Sequence, residues 1–317
     1  MNALFERSKA VVGMIHVGAL PGTPRNREPI GAISQRACEE ARALAQAGVD
    51  ALMVENMHDV PYLKDDVGAE IVAAMTAVGN AVREATGATG GSSTRAASEQ
   101  GTGSKLPVAP SEIGARRDSR TSACTAVREG IRAPALPLGV QILAAANREA
   151  LAVALACDAD FIRVENFAYA HVADEGLMPT AEAGPLLRYR KEIGAERVKI
   201  IADVKKKHSS HALTADVSLA EAARTTEFFG ADAIVVTGTA TGQPTLPADV
   251  ATVKQAVGVP VCIGSGLTPT NLPELWPHAD VFIVGSYFKV DGLWSNPLDP
   301  QRVTEFMATV ARLREMP

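Results

Sequence analysis

Four segments of this chain align without gaps, each an Asp followed by alternating aliphatic residues. They read DALMVEN, DFIRVEN, DAIVVTG and DVFIVGS, and they begin at Asp50, Asp160, Asp232 and Asp280. Short Val- and Ile-rich runs that end at polar or glycine-rich loops are typical of parallel strands buried on both faces. A pattern that returns at long intervals indicates a repeated supersecondary unit. The repeat therefore predicts a parallel α/β fold in which these segments are every second strand.

The chain between the repeats supplies the other strands and the helices. Segments rich in Ala, Glu and Arg alternate with the apolar runs, so each strand is followed by a helical segment. The predicted strands are 9–17, 50–55, 136–143, 160–165, 198–205, 232–237, 259–263 and 279–284. Eight such βα units predict a (β/α)8 TIM barrel.

The alternation within the repeated strands assigns their two faces. Successive side chains of a strand point to opposite faces. One face is aliphatic in all four segments, so we expect it to meet the helices. The other face carries Glu55, Arg163 and Glu165. We therefore expect polar side chains inside the barrel at the carboxyl ends of the strands, where barrel active sites form.

Residues 87–134 interrupt the pattern between the second helix and the third strand. This stretch is rich in Gly, Ser, Thr, Ala and Arg and has almost no large apolar residues. Such a composition cannot bury enough surface to offset the entropy of ordering the chain. We therefore predict one barrel domain over residues 1–317 with a disordered, low-complexity insertion at 87–134.

Composition excludes several classes of function. The 317 residues are 47% hydrophobic, enough for one large core, and 4% aromatic, with a formal net charge of −5. This charge and the few aromatic residues argue against a nucleic-acid partner. No metal or cofactor motif is present, and we expect neither group. We expect neither a secretory leader nor a membrane span, and we therefore predict a cytoplasmic protein. A homo-oligomer is compatible with this prediction.

Charged side chains cluster at the predicted carboxyl ends of the strands. Asp203 and Lys205 follow the interior alternation of the fifth strand, while His16 and Gln141 end the first and third strands. Carboxylates there can act as general acid or base, with Asp203 the first candidate and Glu55 and Glu165 the next. A purely structural ion-pair layer around Arg163 is the alternative. The loop after Asp203 carries Lys207 and His208, either as a solvated charge run or as a lid over an anionic substrate.

Two glycine turns follow the last two strands. They contain Gly264, Ser265 and Gly266 in the first turn, and Gly285 and Ser286 in the second, while Gly238 directly follows the strand before them. Glycine turns next to a helix N-terminus present main-chain N–H groups to anions, as in the phosphate sites after the last strands of many barrels. The glycines can also serve only as tight turns. We predict that they bind phosphate or another anionic group.

Several collinear segments resemble one known family. The segments are MIHVGALPGTP, GVDALMVENMHDVPY, GVQIL, DFIRVENF, IIADVKKKHS, ADAIVVTGTATGQP, PVCIGSGLTPTN and ADVFIVGSYFKVDG. Together they resemble the BtpA/SgcQ family of TIM-barrel proteins over nearly all of the chain except 87–134. One member of that family is associated with photosystem I biogenesis, and another is named as a nucleosidase. The resemblance therefore implies either kind of role as an expectation. The second half also resembles the ribulose-phosphate-binding barrels in its glycine turns.

These observations predict an enzyme that acts on a small phosphorylated or ribosyl-containing metabolite. Nucleosidase, lyase and isomerase reactions fit the expected acid–base residues. The alternative is a non-catalytic binding or assembly factor that keeps the barrel as a scaffold. The retained polar interior favours the enzyme, because a decayed active site would be expected to lose its polar interior residues.

Overall fold

A computed structural model describes residues 8–87, 136–238 and 244–316, in which eight parallel strands close into a barrel. The predicted TIM barrel is confirmed. Its strands, in chain order, are β1 (Ala10–His16), β2 (Ala51–Glu55), β3 (Leu138–Gln141), β4 (Phe161–Val164), β7 (Lys199–Val204), β9 (Ala233–Val236), β10 (Val261–Ile263) and β11 (Val281–Val284). The predicted disordered insertion, apart from Gly87, lies outside the described residues.

Helices cover the outside of the barrel. They are α1 (Ile30–Gln46), α2 (Ala69–Ala85), α3 (Asn147–Ala156), α4 (Ala183–Glu192), α5 (Leu219–Phe228), α6 (Pro247–Ala256), α7 (Leu272–Leu275) and α8 (Pro300–Glu315). In the described ranges, no helix combines the length and apolarity needed to cross a membrane.

Three short strands were not predicted. They are β5 (His171–Ala173), β6 (Gly176–Met178) and β8 (Ser209–Ser210), and they form an antiparallel sheet in the order β6-β5-β8. This small sheet joins the loop after β4 to the loop after β7. Strands of two or three residues are too short to show an alternating pattern, which is why the sequence did not reveal them.

The two faces of the barrel strands are as predicted. Leu52 and Val54 of β2 belong to a core shared with the helices, and the corresponding residues of β4, β9 and β11 do the same. Met53 lies in a second, interior cluster with Met14 and Ile283. The interior residues nearest the carboxyl ends are polar, so the apolar filling of the barrel stops below its mouth.

The aspartate that opens each repeat has a structural role at the opposite end of the barrel. Its carboxylate accepts the main-chain N–H of the preceding barrel strand at 2.7–2.9 Å: Asp50 from Val11, Asp160 from Leu138, Asp232 from Ile200 and Asp280 from Val261. Each carboxylate also pairs with a cation, respectively Arg314, Arg83, Lys199 and Lys254. The repeat therefore fixes neighbouring strands in register at the amino-terminal face.

Replacing Asp232 by Ala is expected to destabilise the barrel by about 2 kcal/mol, because it leaves the Ile200 N–H and the Lys199 ammonium without their acceptor. The melting temperature should fall by roughly 4 °C. Thermal unfolding of this variant beside Asp216→Ala, a change at an exposed aspartate, measures the effect. Equal melting temperatures for the two variants would contradict this role of the repeat.

Candidate active site

Three neighbouring strands each place one polar side chain at the mouth of the barrel. His16 is in register with Glu55, and Glu55 with Gln141. The three side chains and that of Arg163 line a cavity of about 400 Å³ at the carboxyl ends of the strands. These four side chains, which were expected at the mouth of the barrel, therefore line one cavity.

Arg163 and Asp203 form a buried, bidentate ion pair. The guanidinium Nε and Nη2 donate to the two carboxylate oxygens at 2.8 and 2.9 Å. Both side chains are at most 5% exposed, and Asp203 is not among the cavity-lining residues. Asp203 was expected to be the first candidate for a general acid or base facing the substrate. In the structure it anchors Arg163 instead.

Lys205 is not inside the barrel, and its predicted placement was wrong. Strand β7 ends at Val204, and Lys205 has a φ of 43°, so the strand alternation stops before it. Its ammonium donates to the main-chain carbonyls of Thr214 and Val217. The next lysine takes the interior position: Lys206 is buried and donates to Glu165 at 3.1 Å.

Glu55 is a buried carboxyl group that lines the cavity. Among the described residues, one ionisable side chain lies within salt-bridge distance of Glu55. It is His16, whose Nε2 atom is 3.7 Å from Oε2 of Glu55. Burial raises the pKa of Glu55 above its ordinary value, although the positive charges of Arg163 and Lys207 oppose the shift. Glu55 therefore holds its proton to a higher pH than an exposed glutamate.

His16 is held in one tautomer. Its Nδ1 lies 2.9 Å from the main-chain oxygen of Trp294, which can only accept, so Nδ1 carries the hydrogen. Burial, together with the charge of Lys289, lowers the pKa of His16 to about 3. The ring is therefore neutral near pH 7, and the lone pair of Nε2 is directed towards Glu55.

Lys207 brings a cation into the same cavity. Its ammonium has no carboxylate within salt-bridge distance in the described ranges, in contrast to Lys206 and Lys254. Burial lowers the pKa of Lys207, and the nearby Arg163 adds to the effect. Lys207 is half-buried, so the absence of a counter-charge in the described ranges carries a cost that an anionic ligand would offset.

The two glycine turns lie side by side, because β10 pairs with β11, and all five of their predicted binding residues line the cavity. One correction applies: Gly264 donates its N–H to the Val236 carbonyl, so this amide is not available to a ligand. A Cβ on Gly264 would lie 2.9 Å from Arg163 Nη2, and one on Gly285 would lie 3.0 Å from His16 Nε2. Because these two glycines have no side chains, the side chains of Arg163 and His16 have room at the mouth of the barrel.

The predicted helix after Gly266 is only the single turn α7. In the turn before it, the main-chain N–H of Thr268 donates to Asn271 Oδ1 and that of Asn271 donates to Thr268 Oγ1. Its N-terminus is therefore a weaker anion site than was predicted. Gly238 is half-buried and is the last residue described before 239–243. His208 lines the cavity from the rim, where its Nδ1 lies 3.5 Å from Asp174.

Several residues of the cavity wall were not predicted. Arg302, in the first turn of α8, donates to the Tyr287 carbonyl at 2.6 Å and stacks on the Tyr287 ring, which brings its guanidinium beside the second glycine turn. Glu175 comes from the turn between β5 and β6, and Trp294 from the loop before α8. No strand pattern precedes these residues, so tertiary contacts alone reveal them.

The model of the BtpA family matches residues 7–92 and 113–312 of the chain. The part of the 87–134 segment outside the family model is therefore 93–112, narrower than the addition that the sequence suggested. An uncharacterised protein of Caenorhabditis elegans, whose name includes the word mitochondrial, is 42% identical over 99% of this chain and 98% of its own. The photosystem I biogenesis protein BtpA of Synechocystis is 31% identical over 97% and 90%, respectively.

Among solved structures, a tryptophan synthase structure from Mycobacterium tuberculosis superposes with a TM-score of 0.52. The sequence identity is 15%, and the match covers 96% of this chain and 93% of the other. At this identity the likeness concerns the barrel fold alone.

Proposed function

The chain belongs to the BtpA family, and we propose that it is an enzyme that carries out acid–base chemistry on a small phosphorylated metabolite. Nucleosidase, lyase and isomerase reactions are the classes that this chemistry serves. A cytoplasmic location and a small anionic partner remain parts of the proposal.

One observation carries the proposal, and it concerns the charged side chains at the ends of β2, β4 and β7, apart from Glu175 and Arg302 on the cavity wall: two of these groups remain when the ion pairs are taken together. Arg163 neutralises Asp203, and Lys206 neutralises Glu165. Glu55 and Lys207 are left, a carboxyl group whose pKa is raised and a cation without an ion-pair partner in the described chain. When Glu55 is protonated, these groups together carry one positive charge, which suits an anionic ligand.

The proton chemistry follows from the same arrangement. A protonated Glu55 can donate to an oxygen or nitrogen of the substrate. The Nε2 lone pair of neutral His16 can accept a hydrogen bond from the substrate and so help to orient it. The Trp294 carbonyl keeps the His16 ring in the tautomer that leaves Nε2 free. Glu55 replaces Asp203 as the first candidate proton carrier, because both oxygens of Asp203 are held by Arg163.

The phosphate group would lie at the second glycine turn. The N–H groups of Gly285 and Ser286 have no main-chain acceptor in the described ranges, and the Arg302 guanidinium is next to them. Gly285 leaves space that a side chain would fill against His16. A ligand bound there would place its remaining atoms above the His16, Glu55 and Gln141 row.

A thermal-shift screen of nucleosides, nucleotides and sugar phosphates tests the proposed function. A ligand present at about 100 times its dissociation constant adds about 2.7 kcal/mol of stability. We expect phosphorylated compounds to raise the melting temperature and their unphosphorylated counterparts to do so far less. A screen in which no phosphorylated compound shifts the melting temperature would contradict the proposal.

Replacing Lys207 by Met is expected to weaken sulfate binding about 10-fold, because a charge-assisted contact of roughly 1.5 kcal/mol is lost. Lys205→Met is the matched control, since the neighbouring ammonium contacts only main-chain carbonyls outside the cavity. Isothermal titration of both variants with sulfate makes the comparison. Equal losses, or no loss in either variant, would show that Lys207 does not hold the anion.

A non-catalytic assembly factor is the second candidate, favoured by the name of the Synechocystis relative, a photosystem I biogenesis protein. Such a factor would bind a partner without converting a small molecule. The two candidates differ in the fate of a bound metabolite. Incubation of the protein with each compound found in the thermal-shift screen, followed by mass spectrometry, distinguishes conversion from binding alone.

A further inference from the structure

Two acceptor atoms of the cavity wall have no hydrogen-bond partner among the residues that the structure describes. They are Oε1 of Gln141 and Oε2 of Glu175, both shielded from solvent, and both residues line the mouth cavity. Other atoms in the described ranges share this property, among them Nε2 of His171, but they belong to residues elsewhere in the fold. Buried polar atoms are normally paired, so an unpaired acceptor at a ligand cavity needs a donor from outside the chain.

Gln141 and Glu175 lie in the same cavity as Glu55, so a donor bound to them also lies in that cavity. Gln141 is 2% exposed and lies beside Glu55 in the register of β2 and β3. Glu175 is in the turn between β5 and β6, on the small sheet that adjoins the mouth. The last torsion of a Gln or Glu side chain is broad, so either oxygen can turn towards a ligand with little cost.

The charges around Glu175 decide which kind of donor fits. Lys206 lies close enough for both Glu165 and Glu175 to raise its pKa, against the effect of its burial. Glu175 therefore shares the charge of Lys206 with Glu165, so a cation is already nearby and the unpaired Oε2 atom lacks a hydrogen-bond donor. A neutral hydroxyl group satisfies both Glu175 and the uncharged Gln141.

We infer that the ligand of the mouth cavity is a sugar phosphate whose free hydroxyl groups donate to Gln141 and Glu175. The inference rests on the proposed function, which supplies the phosphate end. The glycine turns and Lys207 hold the anion, and the two acceptors select a polyhydroxylated body over an apolar one. Gln141 and Glu175 thus determine specificity, while Glu55 handles the proton.

The test compares ligands that share the phosphate and differ in hydroxyl groups. Ribose 5-phosphate carries hydroxyl groups, and ethyl phosphate has the same anion with none. We expect ribose 5-phosphate to bind the parent at least about 10-fold more tightly, the difference that one or two hydrogen bonds to buried acceptors make. Equal dissociation constants in isothermal titration would overturn the inference.

Two variants locate the effect. Gln141→Met and Glu175→Met each remove an acceptor with little change in volume, and each should reduce the advantage of ribose 5-phosphate over ethyl phosphate about 5-fold. Ethyl phosphate affinity should stay the same in Gln141→Met, and it should not fall in Glu175→Met, which removes a negative charge from the cavity wall. Glu274→Met, a change at an exposed glutamate outside the cavity, is the matched control. An advantage that persists in folded samples of both variants would overturn the assignment.

Two further outcomes distinguish failure of this inference from failure of the proposed function. If sulfate and ethyl phosphate bind but ribose 5-phosphate gains nothing, the inference fails and the anion site stands. If no anion binds at all, the proposed function fails. Glucosamine 6-phosphate beside glucose 6-phosphate covers the ammonium alternative, and a clear preference for the amino sugar would overturn the choice of hydroxyl donors. Because the two variants lie on different elements, misfolding of one leaves the other to decide.

Discussion

Replacing Glu55 by Gln is expected to lower turnover by about 100- to 10,000-fold while the protein stays folded and still binds anions. The Gln amide keeps the shape of the carboxyl group, but it neither gains nor loses a proton at the pH values at which a carboxyl group titrates. Burial has already raised the pKa of Glu55, so at low pH the native group and the amide are both uncharged. At low pH the ligand should therefore bind the variant about as well as it binds the parent.

The measurement needs the substrate that the thermal-shift screen identifies, and it compares rate, affinity and melting temperature on one sample. Glu274→Gln serves as the control, because it makes the same chemical change at an exposed position outside the cavity. A loss of rate with unchanged affinity identifies an interaction made during the reaction. Full turnover by folded Glu55→Gln would remove Glu55 from the mechanism and leave His16 and Glu165 as the residues to test.

Replacing Asp203 by Asn should destabilise the protein by about 3 kcal/mol, because the buried Arg163 guanidinium loses the charge that it contacts with two nitrogen atoms. The melting temperature should fall by roughly 6 °C. Asp216→Asn provides the control for the same change at an exposed position. Removing both partners, as Arg163→Met with Asp203→Leu, should recover much of the loss, since no uncompensated charge then remains.

Stability and rate together decide between the two roles that the sequence allowed for Asp203. A large loss of stability agrees with the ion pair in the structure. A variant as stable as the parent that binds ligand and yet fails to turn it over would instead restore Asp203 as the proton carrier. Thermal unfolding followed by a rate measurement on the same sample makes this distinction.

The sequence predicted the barrel well because its signals are local and repeated. Each repeat combines a period-two aliphatic pattern with an opening aspartate, and the structure explains both: the aliphatic residues meet the helices, and Asp50 and its three counterparts hold the preceding strand. The same periodicity identified Glu55, Arg163 and Glu165 as interior residues. Strand alternation needs no knowledge of the tertiary structure.

The prediction of the site failed where the backbone leaves the strand. Extending the alternation past Val204 placed Lys205 inside, whereas the positive φ of that residue turns Lys206 inward instead. The partner of Asp203 could not be deduced, because Arg163 lies on another strand and several cations were available. Glu175 and Arg302 come from a short turn and a helix start, and only the folded chain brings them to the cavity.

Sulfate binding as a function of pH tests most directly whether an anion binds beside a protonated Glu55. Sulfate keeps its charge across the range in which carboxyl groups titrate, so any change in affinity comes from the protein. Below the raised pKa of Glu55 the carboxyl group is neutral and Lys207 favours the anion. As the pH rises through that pKa, Glu55 becomes negative and should weaken binding.

Isothermal titration with sulfate from about pH 5 to 8, in parent and Glu55→Gln protein, provides the measurement. We expect the parent to bind sulfate more weakly as the pH rises and to take up protons on binding, whereas Glu55→Gln should bind with nearly constant affinity over the same range. The same pH dependence in both proteins, or no sulfate binding by either, would contradict an anion site coupled to Glu55.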